Sequence, residues 1–105
     1  MLVNRAATRS WAATDFPGIE RCLFRNTELG GRASFVRRAG GSRFPRHTHQ
    51  GGEEVVVIAG RVSIGGVEIE AGDYLYTEAG EEHDVVALSD AVIFVSSQRP
   101  TPLVE

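Results

Sequence analysis

Two of the chain's three histidines, His47 and His49, are separated by a single residue in the stretch HTHQGGEE, which ends in two adjacent glutamates. On a β-strand, side chains two residues apart point to the same face, so the two imidazoles would project together and could bind one ion. The glycine pair allows a tight turn that would bring a carboxylate back toward the imidazoles. Imidazole and carboxylate ligands together suit iron, manganese, nickel, copper or zinc, so the spacing indicates transition-metal chemistry.

The third histidine, His83, follows the acidic loop EAGEE much later in the chain. Taken alone, an H-x-H pair is more often a coincidence than a metal site, and a lone histidine is more often an ordinary strand residue. A barrel could nevertheless bring His83 in from the opposite wall. Five side chains near it in sequence are candidates for orienting a metal ligand or acting as a general base: Glu78, Glu81, Glu82, Tyr74 and Tyr76. The alternatives are a solvated acidic loop for the glutamates and, for the tyrosines, filling of the barrel instead of lining a pocket.

Short apolar runs separated by glycine must position these side chains. The sequence holds twelve glycines and four prolines, and no stretch keeps a helical apolar period for three turns. Many short strands at this spacing predict an all-β sandwich or barrel. The predicted strands cover residues 19–24, 33–37, 44–49, 54–59, 61–64, 67–70, 74–77, 83–88 and 91–97. Gly65-Gly66 predicts a two-residue hairpin turn, and Ser89-Asp90 is a weaker signal of the same kind.

Length and composition limit the class of protein. A chain of 105 residues suits one domain, which we place at residues 19–105 after an N-terminal extension of residues 1–18. The net charge of −3 gives no reason to expect nucleic acid or an anionic membrane as a partner. No apolar stretch approaches a membrane span, and the N-terminus lacks the apolar segment of a signal peptide. Cys22 is the only cysteine, which excludes a disulfide within one chain and favours a reducing, cytoplasmic setting.

Charge is distributed unevenly along the chain. Residues 1–50 hold nine arginines and three acidic residues, whereas residues 51–105 hold two arginines and eleven acidic residues. One interpretation is that two facing sheets or subunits have complementary surfaces. The other is a basic patch that binds an anionic ligand.

The motifs around the histidines resemble those of the cupin superfamily, small β-barrels of the double-stranded β-helix, or jelly-roll, type. The first cupin motif is G-x5-H-x-H-x3-E-x6-G, with four residues before the glutamate in some members. This chain matches the motif with Gly41, His47, His49, Glu53 and Gly60. The motif requires six residues between the glutamate and the last glycine, and only Glu53 meets that count, since Glu54 leaves five. The resemblance therefore implies Glu53 as the carboxylate ligand.

The second cupin motif, G-x5-P-x-G-x2-H-x3-N, aligns with Gly72, Gly80 and His83. Glu78 stands where the motif has proline and Ala87 where it has asparagine, and neither position is a ligand position. All three histidines of the chain thus fall on ligand positions. The resemblance implies one divalent transition metal per chain, with its identity open among zinc, iron, manganese, nickel and copper. The implied ligands are His47, His49, Glu53 and His83.

A longer stretch, HTHQGGEEVVVIAG, preceded by SFVRRAGGSRFP and PGIERCLF, is similar to the zinc-binding cupin module of ChrR-type anti-sigma factors. Those regulators hold a sigma factor through an N-terminal helical domain. The residues that precede the first motif here have no helical apolar pattern. The resemblance therefore implies the fold and the metal site, and not the regulatory function.

Three functions are compatible with such a site. Many cupins are dioxygenases, so the resemblance favours a metal-dependent enzyme, an oxygenase acting on a small oxygenated organic molecule. The alternatives are a non-catalytic metal-binding sensor or regulatory cupin of the ChrR-like type, and a small-ligand-binding barrel with a structural metal. An open coordination position distinguishes a catalytic site from a structural one. We expect a small-molecule ligand or substrate and, because small cupins commonly pair, a homodimer.

Overall fold

The computed structural model describes all 105 residues and consists of two antiparallel β-sheets. After one 3₁₀ turn at Ala6–Thr8, ten strands follow in chain order: β1 (Ala12–Ala13), β2 (Ile19–Asn26), β3 (Arg32–Arg38), β4 (Arg43–Thr48), β5 (Glu53–Ala59), β6 (Arg61–Ile64), β7 (Val67–Glu70), β8 (Tyr74–Thr77), β9 (Glu82–Ala87) and β10 (Ala91–Ser97). One sheet has the order β1-β2-β3-β10-β5-β8 and the other β4-β9-β6-β7. The all-β jelly-roll prediction is confirmed. No helix is long and apolar enough to cross a membrane.

All nine predicted strands are present, and four of them, β6, β7, β8 and β10, have the predicted bounds. The other five differ by one or two residues at their ends. Strand β1 was not predicted, because two alanines carry no alternating pattern of apolar and polar residues. It pairs with β2 through Ala12 opposite Arg21 and Ala13 opposite Glu20. Part of the predicted N-terminal extension thus adds an edge strand to the larger sheet.

The two predicted hairpin turns have different outcomes. Gly65 and Gly66 both have positive φ, 57° and 84°, as a tight turn between paired strands requires, and they join β6 to β7. The Ser89-Asp90 prediction is wrong, because β9 and β10 lie in different sheets and the chain crosses from one to the other there. The side chains of these two residues instead accept hydrogen bonds from other segments, Ser89 Oγ from the Arg61 N–H at 3.0 Å and Asp90 Oδ1 from the Gly40 N–H at 2.8 Å.

Side chains along β5 point alternately into the barrel interior and out to its surface. Val55 and Val57 are buried, with 3% and 1% of their surface exposed, whereas Ile58 is 49% exposed. The interior cluster consists of Ile19, Val36, Val55, Val57, Val62, Ile64, Val85, Ala91 and Ile93. Full burial of one such aliphatic side chain stabilises the fold by roughly 1.5–3 kcal/mol. A shift of β5 by one residue would expose Val55 and Val57, so burial strongly determines its phase, that is, which of its residues point inward. Because Glu53 is two residues before Val55, the same phase turns its carboxylate inward.

Ion pairs connect arginines of the first half of the chain to acidic residues of the second half. Arg43 Nε lies 2.9 Å from Asp84 Oδ2, and Arg43 Nη2 lies 2.6 Å from Glu105 Oε1. Arg46 Nε lies 3.3 Å from Glu82 Oε1. Exposed pairs of this kind contribute about 0–1 kcal/mol each. For these two arginines, the acidic partners lie on the neighbouring strand of the same sheet and at Glu105, which argues against a basic patch at these positions.

Candidate metal centre

Two neighbouring strands and the start of a third bring the implied ligands together. His47 on β4 lies directly opposite His83 on β9 in the antiparallel pairing. His49 follows the end of β4, and Glu53 is the first residue of β5. All four side chains are buried, and one ligand atom from each lies within 4.8 Å of the others. The Gly51-Gly52 turn thus brings the carboxylate back toward the histidine pair.

The spacing of the four side chains fits a single ion. The imidazole ring centroids are 4.8 Å apart for His47 and His49, 4.8 Å for His47 and His83, and 4.5 Å for His49 and His83. His49 Nε2 lies 3.4 Å from Glu53 Oε1. Ligand atoms at about 2.0–2.2 Å from one metal ion are separated from each other by roughly 3–4 Å. The cluster therefore needs only small side-chain adjustments to contact one ion.

Two buried nitrogens in the cluster have no hydrogen-bond partner. They are His83 Nε2 and His49 Nε2, the latter lying 3.4 Å from Glu53 Oε1 without the geometry of a hydrogen bond. Buried polar atoms are almost always paired, so an unpartnered nitrogen indicates a ligand or role that the protein alone does not supply. Two such atoms facing the same carboxylate fit a transition-metal site in both position and chemistry.

Backbone carbonyls set the orientation of two rings. His47 Nδ1 donates to the Pro45 carbonyl at 2.8 Å, and His49 Nδ1 donates to the Glu81 carbonyl at 2.7 Å. With the proton on Nδ1, the lone pair of Nε2 is directed to the centre of the cluster. This arrangement is the usual way in which a protein orients a metal-binding imidazole.

Burial controls the protonation of the cluster. Burial and the neighbouring His49 lower the pKa of His47. Burial, together with His49 and His47, lowers the pKa of His83 to about 4. For His49 burial also lowers the pKa, but the Glu53 carboxylate and the Glu81 carbonyl outweigh it and the net direction is upward. His47 and His83 are therefore neutral near pH 7, which is the form that binds metal.

The two adjacent glutamates have opposite environments. Glu53 is 7% exposed and lies in the cluster. Glu54 is exposed on the outer face of the sheet, where its Oε2 accepts a hydrogen bond from the Tyr74 hydroxyl at 3.1 Å. Only Glu53 can reach the three histidines, because neighbouring residues of a strand point to opposite faces.

The five candidate supporting residues all have exposed positions, as the solvated-loop alternative expected for the three glutamates. Tyr74 and Tyr76 are 57% and 50% exposed, so they do not fill the barrel, and neither lines the cavity beside the cluster. Their strand, β8, is at the edge of the six-stranded sheet, where the outer face meets solvent. The Glu82 carboxylate pairs with Arg46 on the surface and does not reach the cluster.

The loop before His83 acts through its backbone. The Glu81 carbonyl is the acceptor that orients His49. The Glu81 carboxylate instead accepts a hydrogen bond from the Glu78 N–H at 2.7 Å, and the Glu78 side chain is exposed. Of the three glutamates proposed as supporting groups, only Glu81 touches a ligand, and it does so through its carbonyl oxygen.

A cavity of about 80 Å³ adjoins the cluster inside the barrel, with His47, Glu53 and His83 in its wall. Apolar side chains, including Ile93 and Val95, line it as well. Arg21 and Arg32 also line this cavity, and neither is among the site residues predicted from the sequence. The available signal was strand alternation, since residues 32, 34, 36 and 38 share one face of β3 and all four line the cavity. A larger open cleft, of about 680 Å³, contains none of the four cluster residues.

Known proteins similar to this chain include both regulators and enzymes. The family model of the ChrR cupin-like domain matches residues 1–101. A DNA damage-repair/toleration protein of Arabidopsis thaliana is 32% identical over 98 residues, which make up 87% of this chain and 31% of that protein. The chain thus spans less than a third of the length of this relative.

Solved structures share the fold closely. A candidate acetylacetone dioxygenase from Methylibium petroleiphilum matches with a TM-score of 0.90 at 21% identity, over 98% of this chain and 80% of that one. An acetylacetone dioxygenase from Acinetobacter johnsonii matches with a TM-score of 0.85 at 16% identity, over 100% of this chain and 77% of that one. The complex of Rhodobacter sphaeroides SigE with the anti-sigma ChrR matches with a TM-score of 0.77 at 23% identity, over 90% of this chain and 52% of that one. At these identities, the similarity establishes the fold.

Proposed function

This chain belongs to the ChrR cupin-like domain family, and from the buried cluster and the adjoining cavity that its fold forms we propose that it is a metal-dependent enzyme, an oxygenase that acts on a small oxygenated organic molecule. His47, His49, Glu53 and His83 would hold one divalent transition metal. The observation that carries the proposal is the pair of buried, unpartnered imidazole nitrogens of His49 and His83 beside the Glu53 carboxylate.

The chain's own residues prepare the site for a ligand. The Pro45 and Glu81 carbonyls hold two rings in the binding orientation, and burial keeps His83 neutral by lowering its pKa to about 4. The adjoining cavity lets a small molecule reach the cluster, and its apolar side chains limit access of water. When bound, the metal would supply Lewis acidity and, if it is redox-active, a route for the substrate to react with dioxygen. The names of two similar structures, an acetylacetone dioxygenase and a candidate acetylacetone dioxygenase, support the oxygenase class.

A second candidate is a metal-binding sensor without turnover. The match to the ChrR cupin-like domain over residues 1–101 favours it. In that role the same four side chains would bind metal, and occupancy of the site would change the surface presented to a partner. The two candidates share the metal site and differ in whether a substrate is converted.

Metal content and oxygen consumption together test the proposal. Protein without a histidine tag should contain one transition metal ion per chain by elemental analysis, and His83→Ala should lose it. Protein reconstituted with Fe(II) should consume dioxygen with acetylacetone or with a member of a panel of small oxo acids and hydroxy acids, and His83→Ala should not. Stoichiometric metal without oxygen consumption on any compound would favour the sensor. Absence of stoichiometric binding with every one of the five metals would reject both candidates.

A further inference from the structure

Two arginines line the cavity beside the metal cluster, and neither has a counterion. Arg21 extends from β2 and Arg32 from β3. The ion pairs of the chain involve Arg37, Arg43 and Arg46, and none includes these two arginines. Arg21 Nε is also buried without a hydrogen-bond partner. Together these facts leave a charged donor with nothing to bind at the wall of the cavity.

An unpaired, half-buried guanidinium is unfavourable unless something else binds it. Charged groups removed from water normally have a paired charge or a full set of hydrogen bonds. Burial, and then repulsion from Arg32, lower the pKa of Arg21. Arg38, which lines the same cavity, shows the ordinary structural solution, because its Nη2 donates to the Ser42 carbonyl at 2.9 Å and to the Val85 carbonyl at 2.8 Å. Arg21 has no such partners.

The cavity contains no other anion that could neutralise these charges. Glu53 is the only acidic residue in its wall, and its carboxylate lies 3.4 Å from His49 Nε2 in the metal cluster. A bound divalent ion would neutralise that negative charge. The cavity therefore presents excess positive charge with a free guanidinium donor, which favours an anionic ligand.

We propose that Arg21, assisted by Arg32, binds the carboxylate of a small organic acid whose other end lies toward the four metal ligands. A planar guanidinium matches a carboxylate with two parallel hydrogen bonds. Ser34, Ser97 and Thr101 supply further polar groups in the cavity wall, while Ile93 and Val95 suit a short carbon chain. The metal end of this arrangement rests on the proposed function, whereas the arginine end does not.

The size of the cavity limits the acid. One water-sized group needs roughly 10–15 Å³ of cavity volume. A cavity of about 80 Å³ therefore accepts about half a dozen non-hydrogen atoms. Acids with two to four carbons fit this limit. Bulky or aromatic acids do not fit without opening of the barrel.

Propionate and propionamide form a matched pair of probes, because they have the same number of non-hydrogen atoms and differ in charge. We would measure their binding by ligand-observed NMR to the zinc-loaded and the metal-free protein. Arg21→Gln is the test variant. Arg25→Gln is the control, because Arg25 lies on the same strand, is exposed, lines none of the cavities described above and makes no ion pair. Arg32→Gln, at an exposed position, replaces Arg21→Gln if that variant does not fold by circular dichroism.

The strength of charge-assisted hydrogen bonds determines how strongly the protein should prefer propionate to propionamide. Propionate should bind at least about tenfold more tightly than propionamide, and Arg21→Gln should remove that preference. Arg25→Gln should keep the preference within about twofold. The arginine-dependent preference should persist in the metal-free protein, although with weaker binding.

Several results would overturn the inference. They are an absent preference for the carboxylate, a preference that Arg21→Gln leaves intact, and an equal loss in Arg25→Gln. A preference that disappears when zinc is removed and ignores Arg21→Gln would mean that the carboxylate binds the metal directly. If zinc fails to bind but the arginine-dependent preference is found, the carboxylate site stands and the proposed metal chemistry fails.

Discussion

Replacing Glu53 by glutamine tests the metal cluster with the smallest change in shape. The substitution keeps the size of the side chain and removes its negative charge. Glu53 is 7% exposed, and its carboxylate lies 3.4 Å from His49 Nε2, so the lost charge has no nearby substitute. We expect Glu53→Gln to weaken zinc binding sharply.

The magnitude follows from the position of the carboxylate. Loss of a residue that only orients a ligand typically costs about 10–100-fold in metal affinity. Removal of a charged ligand should reach at least the upper end of that range, a factor of about 100 or about 2.8 kcal/mol. Glu54→Gln is the matched control, because Glu54 is exposed and bonds only to the Tyr74 hydroxyl, at 3.1 Å. Its effect on zinc affinity should stay within about threefold.

The assay is competition between the protein and a chromophoric zinc chelator, with wild type and both variants measured side by side at pH 7. Thermal unfolding of the metal-free proteins checks that each variant is folded. If Glu54→Gln loses more affinity than Glu53→Gln, the carboxylate ligand has been misassigned. If the two variants lose nothing, or lose the same amount, the inference from burial and strand phase is wrong.

Three further predictions concern pH, packing and assembly. In the metal-free protein, the pKa of His83 falls from its usual 6.5 to about 4 on folding, so the unfolded chain binds a proton first. The free energy of unfolding should then drop by up to about 3 kcal/mol from this group as pH falls from about 6.5 to about 4, and denaturant titrations of His83→Gln should show a smaller drop. Gly31→Ala should destabilise the fold by about 3 kcal/mol or more, because the new Cβ would overlap the Ser97 carbonyl oxygen. Gly41→Ala, with nothing within 4 Å but a φ of 85°, should cost about 1–2 kcal/mol in the same thermal or denaturant assay. The chain should form a homodimer, and a monomer mass by light scattering at micromolar concentration would contradict this.

Local patterns in the sequence predicted much of the fold. Glycine marks the ends of the short apolar runs, and the nine predicted strands lie where those runs lie. The Gly65-Gly66 turn followed from chemistry that acts within two residues, because tight turns need positive φ. Motif spacing singled out His47, His49, Glu53 and His83, and the structure places these four together. Such information is local, or comes from the resemblance to a family.

For several residues, the sequence did not predict whether the side chain points into the barrel or out to solvent. Alternation relates Tyr74 to Tyr76 but does not say which side of β8 meets the core. The register of β8 on β5 turned both rings to solvent, because Tyr76 lies opposite Glu54 and Tyr74 opposite Val56 on the outer face of the sheet. Ser89-Asp90 has the composition of a hairpin turn, yet its flanking strands belong to different sheets. Both outcomes depend on strand pairings far apart in the chain, which a local pattern does not contain.

The contents of the cavity depended on the tertiary structure most of all. Arg21 and Arg32 come from different strands of the six-stranded sheet, and His83 comes from the other sheet. No motif of the sequence places Arg21 and Arg32 beside His83, because their proximity results from burial of apolar surface between two sheets. The sequence by itself determined which side chains could bind a metal. Packing of the two sheets decided that the unpaired guanidinium of Arg21 would line the cavity that adjoins these metal ligands.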